Sequence, residues 1–415
     1  MPDAIKPKGD APRPSAADRL NSLESVDITV DQLVAGGDGL GRFEGIPIFV
    51  PRSAPGDHLR VRLTECKSGY GRGEILEILS PGPGRRKPPC AHFDDCGGCD
   101  LQHLEDAHQT KLKVEALRET LARLGGLRDL PRIRVRASKP WAYRLRTQLH
   151  CEGEGKDLRI GYRARKSHRL VPVEACPILV PALQQLLPKL PSTLEKTKAP
   201  RRVDLAVGDD GGVTSAPVIE GLPHGEVVVT EGEHSYAFDA RCFFQGHRGL
   251  LSALLEETVG PWTGENAFDL YAGVGLFSLP LAKRYERVVS VEGDRLASRY
   301  GRTNARRNRL GQIEVQAKSV EGWIQHLPAG ASRVVLDPPR AGLSPKVRVA
   351  ILKQRPQRLT YVSCHPATLA RDLRSLTRGF HLTHLSALDL FPQTGHLEAV
   401  AQLERSETEV YPGPP

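Results

Sequence analysis

No run of about 18 apolar residues occurs in the chain, which excludes an ordinary membrane-spanning helix. The first twenty residues, MPDAIKPKGDAPRPSAADRL, carry Lys and Arg but no apolar core, so they do not read as a secretory signal. Aromatic residues make up only 5% of the sequence, and Met occurs once. Eight cysteines in 415 residues are too few for a disulfide scaffold, so their spacing decides their use. Together these absences predict a cytoplasmic chain with reduced thiols, and its length predicts two or three domains. What is abundant is positive charge: 58 Lys and Arg oppose 49 Asp and Glu, a net of +9, and 42 of the 58 are Arg. Arg is the side chain suited to bidentate contact with phosphate. Residues 132–169 hold twelve Lys or Arg against three acids, interleaved with Trp141, Tyr143 and Tyr162. A solvated charged face is the plain reading of such a run; its density and aromatics favour a nucleic-acid surface.

Residues 1–24 read as a flexible tail and 25–80 as a small β-barrel, since VDITVDQLV, GIPIFVP, HLRVRLTEC and GEILEILS are strand-like and turn-rich pieces separate them. PGPGRRKPP, 81–89, is a linker by composition. Residues 90–239 predict an irregular α+β domain with one clear helix over 104–124, stopped by Gly125 and Gly126. From 240 to 405 strand-like runs (AFDLY, RVVSVE, QIEVQA, SRVVLD, RLTYVSC) alternate with helical stretches, which predicts a doubly wound, Rossmann-like α/β domain closed by an antiparallel pair. Residues 406–415 read as a second tail.

Four motifs carry chemistry. DLYAGVGLFSLPLA, 269–282, is a strand, a turn containing Gly273 and Gly275, and a helix, the layout that lets backbone approach a nucleoside cofactor. Ser278 stands where a dinucleotide fingerprint has its third glycine, which weakens the NAD reading; Glu292 ends the next strand, where an acid can bond ribose hydroxyls. LDPPRAGL puts Asp337 just past the fourth strand, and YVSCHPATLARD puts Cys364 past the fifth, at a helix start expected to lower its thiol pKa. Glu398 is a lone acid in an apolar strand, either paired or a base of raised pKa. Cys90, Cys96 and Cys99, spaced Cys-x5-Cys-x2-Cys, with Cys176 77 positions on, predict a metal centre; iron–sulfur and zinc both fit the spacing. Cys66, Cys151 and Cys242 show no pattern.

In combination, order and spacing these motifs resemble the RNA uracil-5-methyltransferases over roughly residues 26–404. The resemblance implies an N-terminal TRAM domain, which is an RNA-binding barrel, a cluster-bearing central domain and a class I methyltransferase domain. It implies that Cys364 is the nucleophile and Glu398 the base. It further implies that Gln245, Tyr271, Glu292 and Asp337 contact S-adenosylmethionine, and that Cys90, Cys96, Cys99 and Cys176 hold a [4Fe-4S] cluster. Ribosomal RNA is the implied partner ahead of transfer RNA, and a monomer is expected. The chain departs from the family at His247 and His365, where Asn is usual. Those departures leave room for a catalytically silent RNA-binding or ribosome-assembly factor. An RNA cytosine-5-methyltransferase would place a second Cys by the LDPP loop, and none stands beside Asp337.

Overall fold

The computed structural model describes residues 16–195 and 199–407. Alternating side chains close the first segment on itself. Strands β1 (Ser25–Leu33), β2 (Gly39–Phe43), β3 (Ile46–Val50), β4 (His58–Lys67) and β5 (Tyr70–Ser80) form a closed barrel in the order β1-β2-β3-β5-β4. Val26, Ile28 and Val30, two residues apart, point inward with Ile48, Val50, Leu59 and Val61. Helix α1 (Ala16–Asn21) adds a fully buried Leu20 to this core. Residues 16–24 of the tail expected over 1–24 are therefore ordered, because a single leucine has a place in the barrel, and 1–15 lie outside the described residues. Of the other expected tail, 408–415 lie outside them too. The 81–89 segment is pinned to the barrel, because the buried Asp57 carboxylate accepts from Gly82 N at 2.8 Å and from Arg85 Nε at 2.9 Å.

Helix α2 (Asp106–Gly125) ends where the glycine pair predicts, with Gly126 left-handed at φ 69°. Its Leu117 and Leu121 pack with Leu369 and Leu373 of the C-terminal domain. After it, β6 (Ile133–Arg136) pairs with a strand of that domain. Residues 90–239 therefore do not form one body. The remaining strands, β7 (Arg146–Glu152), β8 (Arg159–Arg163), β9 (Leu170–Pro172), β10 (Arg202–Val207) and β11 (Val213–Ala216), make a five-stranded antiparallel sheet in the order β11-β10-β7-β8-β9. A hairpin of β12 (Val227–Glu231) and β13 (His234–Phe238) is clamped to the C-terminal domain by Asn304, whose amide bonds both backbone groups of Ala237.

The basic stretch 132–169 is divided accordingly. Arg134 and Arg136 pair with buried Glu257, Arg165 with Asp38 and Asp100, and Arg169 with Asp95, while Tyr143 is buried. Its strands belong to two different sheets.

The C-terminal sheet runs β16-β15-β14-β17-β18-β20-β19-β6. Its strands are β14 (Gly264–Leu270), β15 (Tyr285–Val291), β16 (Ile313–Gln316), β17 (Arg333–Leu336), β18 (Arg358–Ser363), β19 (Phe380–Leu388) and β20 (Glu398–Arg405). The first five in the order are parallel and in step: Leu270 faces Val291 and Leu336, and Leu336 faces Tyr361. Their carboxyl ends therefore deliver Tyr271, Glu292, Asp337 and Cys364 to one edge. β20 runs antiparallel to β18, with Ala399 opposite Ser363, so its amino end brings Glu398 to that same edge. No helix among the described residues is long and apolar enough to cross a membrane.

Candidate active site

At the end of β14 the chain turns sharply, with Tyr271, Gly273 and Gly275 at φ 65°, 56° and 92°. A Cβ added at Gly273 would meet nothing within 4 Å, so this turn opens onto free space. The Glu292 carboxylate accepts from Gly273 N at 2.8 Å and Asp294 N at 2.7 Å, which fixes it beside the turn with lone pairs to spare. Tyr271 donates to Glu321 Oε1 at 3.1 Å. Ser278, in the place of a third glycine, donates to the buried Asp269 at 2.5 Å, and the other Asp269 oxygen has no partner. Burial, then the charge of Glu292, push the Asp269 carboxyl up to about 7. An orphaned buried oxygen beside an open glycine turn is the mark of a polar ligand site, and it suits a nucleoside cofactor. Asp269 received no role from the sequence; an acid in the apolar, buried second half of its strand, AFDL, is the signal that could have found it. Gln245 is buried in the connection after β13.

Asp337 follows β17, its carboxyl pushed up to about 7 by burial and by Asp269 and Glu292. Glu398 is buried, and its carboxyl is raised well above the usual range by burial and by Asp337. The negative charge of Asp337 thus favours the protonated form of Glu398. The Cys364 thiol is pushed up to about 11, by burial first and then by Glu398; Arg340 and its hydrogen bond oppose, and Asp337 adds to the rise. The expected lowering by the helix start does not prevail, since burial and two carboxyls outweigh one helix terminus. The resting group is a thiol beside carboxyls of high proton affinity. Arg340, which the sequence reading passed over, stands against this thiol and also bonds His396 Nε2 at 3.2 Å. The signal for it was a base directly following the two prolines.

The two histidine departures have structural reasons. His365 caps helix Pro366–Leu376: its Nδ1 accepts from Thr368 N at 3.3 Å, the bond an Asn side chain makes at such a position. His365→Ala is expected to lower stability by about 1 kcal/mol in chemical denaturation, and His365→Asn to restore it. His247 stacks on Tyr143, centroids 4.6 Å apart, with both ring nitrogens buried and unpartnered. Burial pushes it down to about 4, so it is a neutral packing ring.

Away from this edge, Cys90, Cys96, Cys99 and Cys176 line one cavity with Arg144 and Tyr162. Cys96 Sγ accepts from Gly98 N at 3.3 Å, and burial pushes the Cys99 thiol up to about 12. Among the described residues no three Cys, His, Asp or Glu side chains stand close enough together to hold a single metal ion. All eight cysteines are free thiols.

Residues 224–406 match the family described as tRNA (Uracil-5-)-methyltransferase, and 23–76 match the TRAM domain. A 23S rRNA (uracil(1939)-C(5))-methyltransferase, RlmD, of Pectobacterium atrosepticum is 34% identical over 91% of this chain and 93% of its own. The chain belongs to the RNA uracil-5-methyltransferase family. Its barrel is the TRAM domain, and its C-terminal sheet the methyltransferase domain. The RlmD of Vibrio parahaemolyticus is 32% identical over 95% of this chain and 99% of its own. Among solved structures, the Pyrococcus abyssi tRNA (uracil-54, C5)-methyltransferase in complex with S-adenosyl-L-homocysteine superposes with a TM-score of 0.71 at 26% identity, covering 91% of this chain and all of that one.

Proposed function

We propose that this RNA uracil-5-methyltransferase methylates C5 of a uridine in 23S ribosomal RNA, with Cys364 as nucleophile and Glu398 as base. The observation that carries the reading is the meeting of Cys364, Arg340 and Glu398 at one sheet edge, beside an open glycine turn. S-adenosylmethionine supplies a methyl group on a positively charged sulfur; Tyr271, Glu292, Asp337 and the Gly273–Gly275 turn would hold it, with Gln245. Uracil C5 alone is too weak a nucleophile to take that methyl. The Cys364 thiol gives up its proton to solvent, the thiolate being stabilised by Arg340, and its sulfur bonds to C6 while the C5–C6 π electrons shift toward C5 and O4. C5 then takes the methyl carbon, whose bond to sulfur breaks and leaves a neutral thioether. Glu398 removes the C5 proton, the C5–C6 double bond re-forms, and the Cys364 sulfur leaves C6. The target must leave its base stack to reach this edge.

Ribosomal RNA is favoured because the relatives that span nearly all of the chain carry that substrate in their names. Mapping 5-methyluridine in total RNA with and without the protein tests it. Loss confined to 23S RNA is expected, whereas loss in transfer RNA would reassign the substrate. No change in any RNA would favour the silent RNA-binding reading.

The same proposal gives Cys90, Cys96, Cys99 and Cys176 a [4Fe-4S] cluster. Four thiols lining one cavity are the donor set such a cluster needs. Methyl transfer needs no external electron donor or acceptor, so the cluster would serve to fold the loop that carries these residues. Anaerobically purified protein should contain about four irons and matching sulfide per chain. Stoichiometric zinc without iron would overturn the assignment.

A further inference from the structure

The connection 389–397 joins β19 to β20, and Glu398 follows it directly. Its backbone is held by groups outside the α/β core. Phe391 O accepts from Lys113 Nζ at 2.9 Å, and Pro392 O accepts from Tyr143 OH at 2.9 Å. Gln393 is fully buried in the left-handed region, φ 68°, a conformation a non-glycine residue keeps only when its surroundings enforce it. Its carbonyl accepts from Asp100 N at 2.9 Å and Leu101 N at 3.0 Å. Gly395 N then donates to Asp100 Oδ2 at 3.0 Å.

Asp100 is where three units meet. Its Oδ1 accepts from Arg165 Nη1 at 2.6 Å, and Arg165 Nη2 reaches Asp38 of the barrel at 2.6 Å. The barrel presses on the same point: Gly36 N donates to Gly395 O at 3.3 Å, and a Cβ on Gly395 would lie 2.3 Å from the Gly36 carbonyl carbon. One residue on, His396 bonds Arg340, which stands against the Cys364 thiol.

We propose that Asp100 is a positioning residue for C5 proton removal. It ties Gly395 to Arg165 and the barrel, and so fixes the three-residue step that carries Glu398 toward the uracil. The proposal rests on Glu398 being the base. Thiol addition and methyl transfer precede proton removal, so a displaced Glu398 leaves the enzyme joined to methylated RNA through Cys364.

The test uses the full chain and 23S RNA lacking 5-methyluridine. Asp100→Ala should slow turnover by about 100-fold, the cost of misplacing a reacting group by an ångström. Its protein–RNA adduct should accumulate on ordinary uridine RNA in a denaturing gel, with cofactor affinity by calorimetry unchanged. Asp100→Asn keeps an acceptor for Gly395 N and should recover to within about tenfold of the wild type. Gly37→Ala acts from the barrel side, since its Cβ would lie 3.0 Å from Gly395 Cα and 3.2 Å from Asp100 Cβ. It should give the same adduct more weakly, and it carries the test if Asp100→Ala does not fold. Wild-type turnover in Asp100→Ala and Gly37→Ala, or slowed turnover without adduct, overturns the proposal. A wild type that methylates no RNA would instead overturn the function assigned above.

Discussion

Cys364→Ala is expected to lose methyl transfer by a factor on the order of 10⁴ or more, because without the sulfur nothing raises electron density at C5. The measurement is incorporation of labelled methyl into RNA lacking 5-methyluridine. Wild type should also form a denaturant-stable adduct with RNA containing 5-fluorouracil, whose fluorine cannot leave as a proton, and the variant should form none. Cofactor affinity should survive, since Glu292 and the glycine turn lie on other strands. A variant that turns over within tenfold of wild type would remove Cys364 from the mechanism.

Glu398→Gln has the second-largest expected effect, a fall in turnover of about 10²- to 10⁴-fold, the usual worth of a positioned base. It differs from the first in where the reaction stops. Methyl transfer to C5 proceeds once, and the covalent complex then accumulates on ordinary uridine RNA. The pH dependence separates the two residues further. Glu398 acts deprotonated, and its carboxyl is raised, so activity should fall with decreasing pH well above the ordinary carboxylate range. Cys364 must lose its proton from a thiol pushed up to about 11, so kcat/KM should keep rising into the alkaline range. In single-turnover adduct formation by Glu398→Gln, the thiol-linked rise should persist and the acid limb should vanish. An unchanged acid limb would assign it to another group, with Asp337 the first candidate.

Periodicity made much of this molecule legible. The period-two pattern of Val26, Ile28 and Val30 specifies a barrel wall, and the buried runs from AFDLY to RLTYVSC specify a parallel sheet, since both depend on near neighbours in sequence. The motifs placed Cys364, Glu292 and Asp337 at strand ends for the same reason. What stayed hidden depends on contacts made far along the chain. β6 is four residues whose partner, β19, lies about 250 positions on, and nothing local to Ile133–Arg136 announces that pairing. Leu20 reads as part of a tail until the barrel supplies a cavity for it. The charge density of 132–169 suggested one face, but two sheets share its residues, and acids from outside the stretch pair with Arg134, Arg136, Arg165 and Arg169. The Cys364 thiol was misjudged because the helix start is visible in sequence, whereas the two carboxyls beside it come from β17 and β20.

The place of β20 between β18 and β19 has a bearing on how the enzyme is made. β20 is later in sequence than either neighbour, yet among the described residues it alone bridges them. A chain synthesised as far as β19 has an open hydrogen-bonding edge on β18, and the β19–β6 pair has no strand joining it to the rest of the sheet. Insertion of β20 seals that edge and delivers the base in the same event. A partly folded molecule with the cofactor turn formed but β20 absent could bind its methyl donor without being able to complete a turnover. On the mechanism proposed above, proton removal becomes possible only in molecules whose interior strand order is finished.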